Sequence, residues 1–320
     1  MFRKFGHIVS IALLALLLLG AVAVSAKEPS TQENSEQTTR QERAVVAQTA
    51  YTYTTVITVT SSSDPDTSLS KTCYSGSSAE SPCTLRRAIV EARSSSIARP
   101  VLIKFNIPMT DTGYVASLGI WRIDLAAALP VFQYASHGQV IIDGQTQNEI
   151  GGRITAPPIY ILGSDISTHS DSTLRYLALA DGKINAGDTS IIEYNWTGLT
   201  EDGESVYYID GNPQLSNGAG INVGGDDNTV RYNVAASARG VSIDIDGSDN
   251  VVIGNFVGTN AQGTIPDVPA HRRCHADARF SNWFTGNGIV VHSAANRNQI
   301  GGPSAAERNV IAGMLSASES

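Results

Sequence analysis

The chain has 320 residues and a formal net charge of −8 at pH 7, with 30 acidic residues against 22 lysines and arginines. A surface with this excess of negative charge repels polyanions, which argues against nucleic acid or an anionic membrane as a partner. Two of the basic residues lie in the N-terminal export signal that is described below. Without that signal, the exported chain would have a formal net charge of −10.

The N-terminus has the pattern of a secretory signal. Arg3 and Lys4 precede an apolar run over 8–24, and residues 24–26 (Val-Ser-Ala) fit the small-x-small pattern of a signal-peptidase site. The run is short for a membrane span of ~20 residues and ends in small residues rather than a charged stop. We therefore predict a signal peptide over 1–26, a secreted or cell-surface location, and no membrane span after cleavage.

Residues 27–50 are polar, rich in Gln, Glu and Thr, and show no apolar periodicity. Such a segment cannot bury enough apolar surface to offset the entropy of ordering it, so we predict a disordered linker. Thr then alternates with Val and Ile over 52–60, as in a half-buried strand. Cys73 and Cys83 enclose a loop rich in Ser and Gly, and we expect a disulfide between them because secreted chains use such staples.

An amphipathic helix follows the cysteine loop. Leu85, Ala88, Ile89 and Ala92 fall on one face at helical spacing, and Thr84 is a suitable N-cap. This apolar face must pack against another apolar surface, and the first turn of a repeat fold offers one. Terminal turns also need a cap that protects their strand edges. We therefore predict that the helix caps the N-terminal end of the fold.

A short string recurs five times, with copies that start at Ser172, Ser190, Asn228, Asn250 and Asn298. The copies at Asn228 and Asn250 lie 22 residues apart, which favours one turn of a parallel β-solenoid over a helical repeat. Successive turns lie about 4.8 Å apart, so equivalent residues would stack in columns. The sequence therefore predicts an all-β fold, with an N-terminal part over 51–110 and a parallel β-helix over 111–320.

The repeat predicts four columns. One inward aliphatic column contains Leu174, Ile192, Val230, Val252 and Ile300. A second contains Ile221 with Val223, Val241 with Ile243, and Ile289 with Val291. The other two are stacks of Tyr176, Tyr194 and Tyr232, and of Asn233 on Asn255. Two segments, 196–214 and 265–287, interrupt the repeat, and because such insertions usually emerge on one face they are the first candidates for ligand binding.

Residues 83–89 (Cys-Thr-Leu-Arg-Arg-Ala-Ile) resemble the Cys-Ser-Leu-Arg-Glu-Ala-Ile signature of the CSLREA domain, which is found near the N-terminus of secreted bacterial proteins. Further strings are similar to those that follow this signature in the family, at 105–108, 129–130, 142–147, 255–264 and 298–311. The resemblance covers most of the chain from about residue 55 to 311. It implies a right-handed parallel β-helix of the pectin-lyase-like type on an exported, often surface-associated protein.

The chain departs from this family at two places. Arg87 stands where the family has Glu, so the helix lacks the partner of a capping box and carries a cation near its positive end. The family pattern also continues with further coils after the string that ends at Ile311. We therefore expect a β-helix that is truncated at its C-terminus or completed by another chain.

Two groups of aspartates are candidate sites. Asp226 and Asp227 are similar to the paired acids of polysaccharide-hydrolysing β-helices, in which one carboxylate protonates the leaving oxygen and another activates water. They also directly precede a repeat unit. Aspartates are expected in a turn at such a position, because their side chains hydrogen-bond to nearby backbone groups. Asp244 and Asp246 alternate along a strand and share one side, so with Asp249 they could hold calcium. A solvent-facing strand edge followed by a turn is the alternative.

A third candidate lies in the second insertion. His271, Cys274 and His275 can ligate zinc, and His292 is near in sequence, but no further Cys or His pair completes a four-ligand site at standard spacing. An exposed polar loop is the alternative, and Cys274 has no disulfide partner evident in the sequence. Arg231 is a candidate base for a lyase reaction. The equivalent positions of the other repeat copies hold basic, acidic and apolar residues, so we interpret Arg231 as an ordinary outward-facing residue.

These patterns contain no complete acid–base set. We therefore predict a secreted or surface-displayed, non-catalytic module that binds extracellular polysaccharide or surface protein. The alternative is a polysaccharide lyase or glycoside hydrolase of the same architecture, with Asp226, Asp227, Asp244 or Asp246 as catalytic residues. Fold alone does not decide between them. We predict no cofactor, with calcium as the alternative.

Overall fold

The structure is a computed structural model that describes residues 53–64, 73, 82–132, 137–150, 156–207, 220–236, 240–264 and 287–312. All of these residues belong to one compact unit, Ala50–Ser320. The predicted signal peptide, the linker and the His271–Cys274–His275 motif lie outside the described residues. Within the described ranges, no helix is long and apolar enough to cross a membrane.

The described chain is mostly β, with strands arranged in three sheets and one α-helix, α1 (Leu85–Ala92). Sheet A contains, in spatial order, β1 (Thr55–Val59), β2 (Val101–Phe105), β5 (Val140–Asp143), β8 (Thr173–Arg175), β11 (Ile191–Glu193), β14 (Thr229–Arg231), β17 (Val251–Ile253) and β20 (Gln299–Ile300). Sheet B contains β3 (Tyr114–Val115), β4 (Ile120–Asp124), β6 (Ile159–Leu162), β9 (Leu177–Leu179), β12 (Trp196–Thr197), β15 (Val234–Ala235), β18 (Phe256–Val257) and β21 (Val310–Ile311). Sheet C contains β7 (Ile166–Ser167), β10 (Lys183–Ala186), β13 (Gly220–Val223), β16 (Val241–Ile245) and β19 (Asn287–Val291).

From β5 onward, the chain visits the three sheets in a fixed order. It passes from sheet A to sheet B to sheet C and returns to sheet A one strand further along, as in β8, β9, β10 and then β11. We call one such passage a rung. Apart from the short antiparallel pair of β3 with β4, the paired strands of the described residues run parallel. This is the predicted all-β, parallel, solenoid-like arrangement.

The first aliphatic column is confirmed. Its five residues align across neighbouring strands of sheet A, in the order Leu174, Ile192, Val230, Val252 and Ile300. The first four are fully buried, as predicted, whereas Ile300 is 42% exposed. Each fully buried side chain contributes about 1.5–3 kcal/mol of transfer free energy, so the column is a continuous source of stability along the stack.

The second aliphatic column was predicted in the wrong register. Ile221 aligns with Ile243 rather than with Val241, and Val223 aligns with Ile245. Val241 pairs instead with Asn287, beyond the start of the neighbouring strand β13. The error has a physical reason: alternate residues of a strand face the same side, so a shift by two residues keeps the apolar pattern intact.

Asparagine side chains tie the rungs together. Oδ1 of Asn233 accepts the backbone N–H of Asn195 at 2.9 Å, and Oδ1 of Asn255 accepts that of Asn233 at 2.9 Å. The predicted stacking of Asn233 on Asn255 is therefore confirmed, and Oδ1 of Asn309 continues the ladder with the N–H of Asn255. The backbone hydrogen bonds between neighbouring strands are interrupted at the bend between sheets A and B. There, the Oδ1 atoms of these asparagines accept the backbone N–H groups instead of backbone carbonyls.

The bend itself is formed by tyrosines in an unusual backbone conformation. Tyr176, Tyr194 and Tyr232 have φ values of 54°, 56° and 58°, in the left-handed region that turns the chain sharply. Their rings stack with centroids 5.0 Å and 5.3 Å apart, as predicted. Burial raises the pKa of Tyr194 to about 12. The stack ends at Gly254, where a Cβ would lie 2.6 Å from Cε1 of Tyr232.

Outward-facing charges form a ladder on sheet A. Asp143, Arg175, Glu193 and Arg231 align in that order on neighbouring strands. Arg175 lies 2.7 Å from Asp143 and 3.7 Å from Glu193, and Arg231 lies 2.7 Å from Glu193. The side chains of Arg175 and Glu193 are only 6% and 5% exposed. Burial alone would lower the pKa of Arg175, but its interactions with Asp143 and Glu193 outweigh that effect and raise it.

Helix α1 packs against β1 and β2 at one end of sheet A. The side chain of Thr84 accepts the backbone N–H of Arg87, so Thr84 is the N-cap that the sequence predicts. The buried guanidinium of Arg86 donates to both carboxylate oxygens of Asp64, which joins the helix to the segment after β1. Cys73 and Cys83 lie at disulfide distance, with sulfur atoms 2.12 Å apart.

The charge ladder makes a testable contribution to stability. In Glu193→Gln, Arg175 keeps Asp143 but Arg231 loses its carboxylate partner. We expect a loss of about 1.5–3 kcal/mol in the free energy of unfolding, as for hydrogen bonds to charged groups. Glu201→Gln is the matched control, because its pair with Arg122 is exposed and should contribute less than about 1 kcal/mol. Urea denaturation followed by circular dichroism measures both, and equal losses would contradict the assignment.

Candidate functional site: the outer face of sheet C

The outer face of sheet C has two polar columns. Ile184, Ile221 and Ile243 point into the core, so the residues that follow them point outward. The first outward column runs along the strands through Ser167, Asn185, Asn222, Asp244 and Val290. The second lies just past the carboxyl ends of the strands and contains His169, Gly187, Gly224, Asp246 and His292.

The middle of this face is open and polar. The side chains of Asn185 and Asn222 lie on neighbouring rungs, with Nδ2 of Asn222 3.5 Å from Oδ1 of Asn185. Beside them, Gly187 and Gly224 carry no side chain, and a Cβ on Gly224 would meet nothing closer than the carbonyl oxygen of Ala186 at 4.0 Å. We call Asn185, Gly187, Asn222 and Gly224 the polar lane.

Two carboxylates and an imidazole meet at the end of the polar lane. Nε2 of His292 lies 2.7 Å from Oδ1 of Asp244 and 3.7 Å from Oδ1 of Asp246. One ligand atom from each of the three residues lies within 4.8 Å of the others. The side chains of His292, Asp244 and Asp246 are 48%, 31% and 52% exposed, so solvent reaches all three. We call these residues the Asp–Asp–His cluster.

The pairing of strands β16 and β19 positions the cluster. Ile243 aligns with Ile289, and Ile245 aligns with Val291, so the residues that follow them are neighbours. The backbone N–H of His292 donates to the carbonyl of Ile245 at 2.9 Å, which continues the parallel ladder to the cluster. His292 thus lies against Asp244 although 48 residues separate them in the chain.

The cluster shifts the titration of its histidine. The hydrogen bond to Asp244, the charge of Asp244 and then the charge of Asp246 raise the pKa of His292 above its ordinary value. The folded chain therefore keeps the imidazolium form to higher pH than the unfolded chain does. The resulting stabilisation is fully present below the ordinary pKa of histidine and is lost as the pH rises through the folded-state pKa.

The other predicted aspartates occupy turns. Asp249 has φ of 59°, and Oδ1 of its carboxylate accepts Nε–H of Arg297 at 2.7 Å, so the sequence-based calcium set of Asp244, Asp246 and Asp249 is not brought together as one group. Oδ1 of Asp226 accepts the backbone N–H of Ser248 at 2.6 Å.

Asp227, the second member of the predicted acid pair, has φ of 57° in the same kind of turn, and its N–H donates to the carbonyl of Ser248. Left-handed φ and backbone hydrogen bonds are the features of turn-forming acids. The structure thus brings Asp244 and Asp246 together and gives Asp226 and Asp227 roles in a turn.

Sequence reasoning did not place His292 with these aspartates. It grouped His292 with the motif at 271–275, which lies outside the described residues. The sequence does contain a signal for this contact. Residues 289–292 (Ile-Val-Val-His) are the repeat equivalent of residues 243–246 (Ile-Asp-Ile-Asp), with His292 in the position of Asp246. Recognising this repeat across the second insertion would have predicted the contact.

Each predicted insertion includes residues that belong to a strand. Trp196 and Thr197 belong to β12, and Asn287 begins β19. The described part of the first insertion folds back on the outside of sheet B, where Leu199 packs with Tyr160 and Trp196. Both insertions leave sheet B and re-enter sheet C at the amino ends of its strands. The Asp–Asp–His cluster lies at the opposite, carboxyl ends.

Comparison with protein-family models, with curated proteins and with solved structures finds no match for this chain. The site is therefore interpreted from its own geometry. That geometry consists of an open polar lane and a cluster of three side chains that can bind protons, cations or hydroxyl groups.

The titration of His292 tests the geometry of the cluster. In Asp244→Asn the imidazolium loses its closest anionic partner, so we expect the pKa of His292 to fall toward the ordinary value for histidine. NMR detection of the imidazole resonances against pH measures this change. Asp249→Asn is the control, because the carboxylate of Asp249 is engaged by Arg297, and it should leave the His292 titration unchanged. An equal effect of the two variants would contradict the assignment.

Proposed function

We propose that this chain is an exported, right-handed parallel β-helix of the CSLREA-containing, pectin-lyase-like type. In this proposal residues 1–26 are a cleaved signal peptide, 27–50 are a disordered linker, and α1 caps the first rung. The helix-capping role is supported by the packing of α1 on β1 and β2. Export is supported by the N-terminal sequence pattern and by the cysteine pair at disulfide distance.

We further propose that the molecule is a non-catalytic binding module, and that the polar lane is its binding surface for an extracellular glycan. The observation that carries this proposal is the alignment of Asn185 with Asn222 beside Gly187 and Gly224. Amide side chains both donate and accept hydrogen bonds, which suits the hydroxyl groups of a sugar.

The dimensions of the lane also suit an extended ligand. Neighbouring rungs are about 4.8 Å apart, so the amides of Asn185 and Asn222 are spaced by one rung. Gly224 leaves room for a ring to approach the backbone without meeting a side chain. A chain molecule lying parallel to the stack would therefore meet an amide on each of these two rungs.

A substitution that fills the lane tests this proposal. Gly224 has no positive φ and open space at its Cβ position, so Gly224→Trp should fold normally and obstruct the lane. We expect binding to a panel of extracellular polysaccharides, measured by glycan array and affinity electrophoresis, to be lost with an unchanged thermal melting temperature. Thr229→Trp, on the outer face of sheet A, is the control. Unchanged glycan binding in Gly224→Trp would refute the assignment of the lane.

A second candidate function is polysaccharide cleavage, and the Asp–Asp–His cluster is the observation that favours it. One carboxylate oxygen of Asp244 lies within 4.8 Å of one of Asp246. Retaining glycosidases also use two neighbouring carboxyl groups, about 5–5.5 Å apart. However, both carboxylates are open to solvent, and Asp244 is already hydrogen-bonded to His292.

An activity assay separates the two functions. We expect no release of reducing ends or unsaturated products when the chain is incubated with polygalacturonate and related polymers, with or without calcium. Turnover that is abolished by Asp244→Asn and Asp246→Asn but retained in Asp226→Asn would establish the enzyme instead, because Asp226 has a backbone role in a turn.

A further inference from the structure

We propose that Asp244, Asp246 and His292 bind a divalent transition-metal ion of the zinc type. The three residues offer one nitrogen and two oxygen ligand atoms from two neighbouring rungs, all within 4.8 Å of one another. Tetrahedral zinc with ligands at about 2.0–2.1 Å holds them about 3.3 Å apart. The observed separations of 2.7 Å and 3.7 Å from Nε2 of His292 lie on either side of that value.

The fold does not require acidic residues at these positions. On the neighbouring rungs the same two columns hold Asn222 with Gly224, and Asn185 with Gly187. The aspartates in the turns of this molecule are different, because they serve the backbone and recur from rung to rung. Some adopt a left-handed backbone conformation, and others accept hydrogen bonds from backbone N–H groups. The cluster therefore reflects a requirement other than the repeat.

The charge balance of the cluster also favours a cation. Asp249 is neutralised by Arg297, which donates to its carboxylate through both Nε and Nη2. Within the described part of the chain, by contrast, the ion-pairing partner of Asp244 and Asp246 is His292. One imidazolium compensates one of two carboxylates, and a neutral imidazole compensates neither. A divalent ion at the point where the three side chains converge would compensate both.

The ligand types favour a transition metal over calcium. Calcium takes six to eight oxygen ligands, whereas an imidazole with carboxylates suits zinc and its neighbours. Asp249, which would have supplied a third carboxylate to calcium, is engaged by Arg297. The remaining coordination positions would face the polar lane and solvent, where Gly224 leaves space. This inference does not depend on glycan binding by the lane.

Metal titration of the purified full chain tests the proposal. We expect one equivalent of Zn²⁺ to bind in isothermal titration calorimetry, and one equivalent of Co²⁺ to give visible absorption bands that Zn²⁺ displaces. Loss of even an outer-shell partner typically costs about 10–100-fold in metal affinity, so His292→Ala, Asp244→Asn and Asp246→Asn should each weaken binding at least that much. Calcium in large excess should not displace Co²⁺.

The controls separate the cluster from general acidity. Asp226→Asn and Asp249→Asn each remove one carboxylate from neighbouring turns and should leave Zn²⁺ affinity within about twofold of the parent. Because His292 is exposed, its substitution should not alter the circular dichroism spectrum of the metal-free chain. Absence of stoichiometric Zn²⁺ binding, binding that persists in His292→Ala, or displacement by calcium at equal concentration would each overturn the proposal.

Discussion

The alignment of one rung on the next is the constraint on which the rest of the structure depends. Each strand pairs with the equivalent strand one rung away, so a residue meets its structural counterpart rather than a sequence neighbour. Aliphatic side chains therefore stack on aliphatic side chains, and Val230 and Val252 of neighbouring rungs are both fully buried. A shift of one rung by a single residue would turn every apolar side chain outward.

Polar ladders make this alignment specific. Apolar stacking tolerates a shift by two residues, because alternate residues face the same side. The asparagine ladder does not tolerate it, because Oδ1 of Asn255 must reach the N–H of Asn233 at a bend where the strand ladder is broken. The charge ladder adds a second condition, since a shift would place Arg175 and Arg231 away from Glu193. Polar groups thus select one register from those that the core permits.

The parts of the fold that could be predicted are those encoded by the repeat. The column through Val230, the tyrosine stack and the asparagine contact follow from equal spacing in the sequence, and the structure confirms them. The register of β16 could not be predicted from apolar residues, because Val241 and Ile243 have the same character and direction. The alternation of charge at Arg175 and Glu193 is visible in the sequence, but its burial is not.

The site could be predicted only in part. Two aspartates on one side of a strand follow from alternation, and the structure places Asp244 and Asp246 within ligand distance of each other. The third member depends on where the chain returns after a long excursion, and His292 is fixed by the pairing of β16 with β19. The exclusion of Asp249 depends on the direction of a left-handed turn and on Arg297. Neither is visible in local sequence.

The way in which β19 is held has an evolutionary consequence. His292 is positioned by hydrogen bonds between β19 and the preceding rung. The segment between β18 and β19 can therefore gain, lose or exchange residues without displacing the imidazole. A stacked architecture of this kind lets loop variation and site geometry be selected independently, so new recognition surfaces can be acquired while an existing constellation of side chains is preserved.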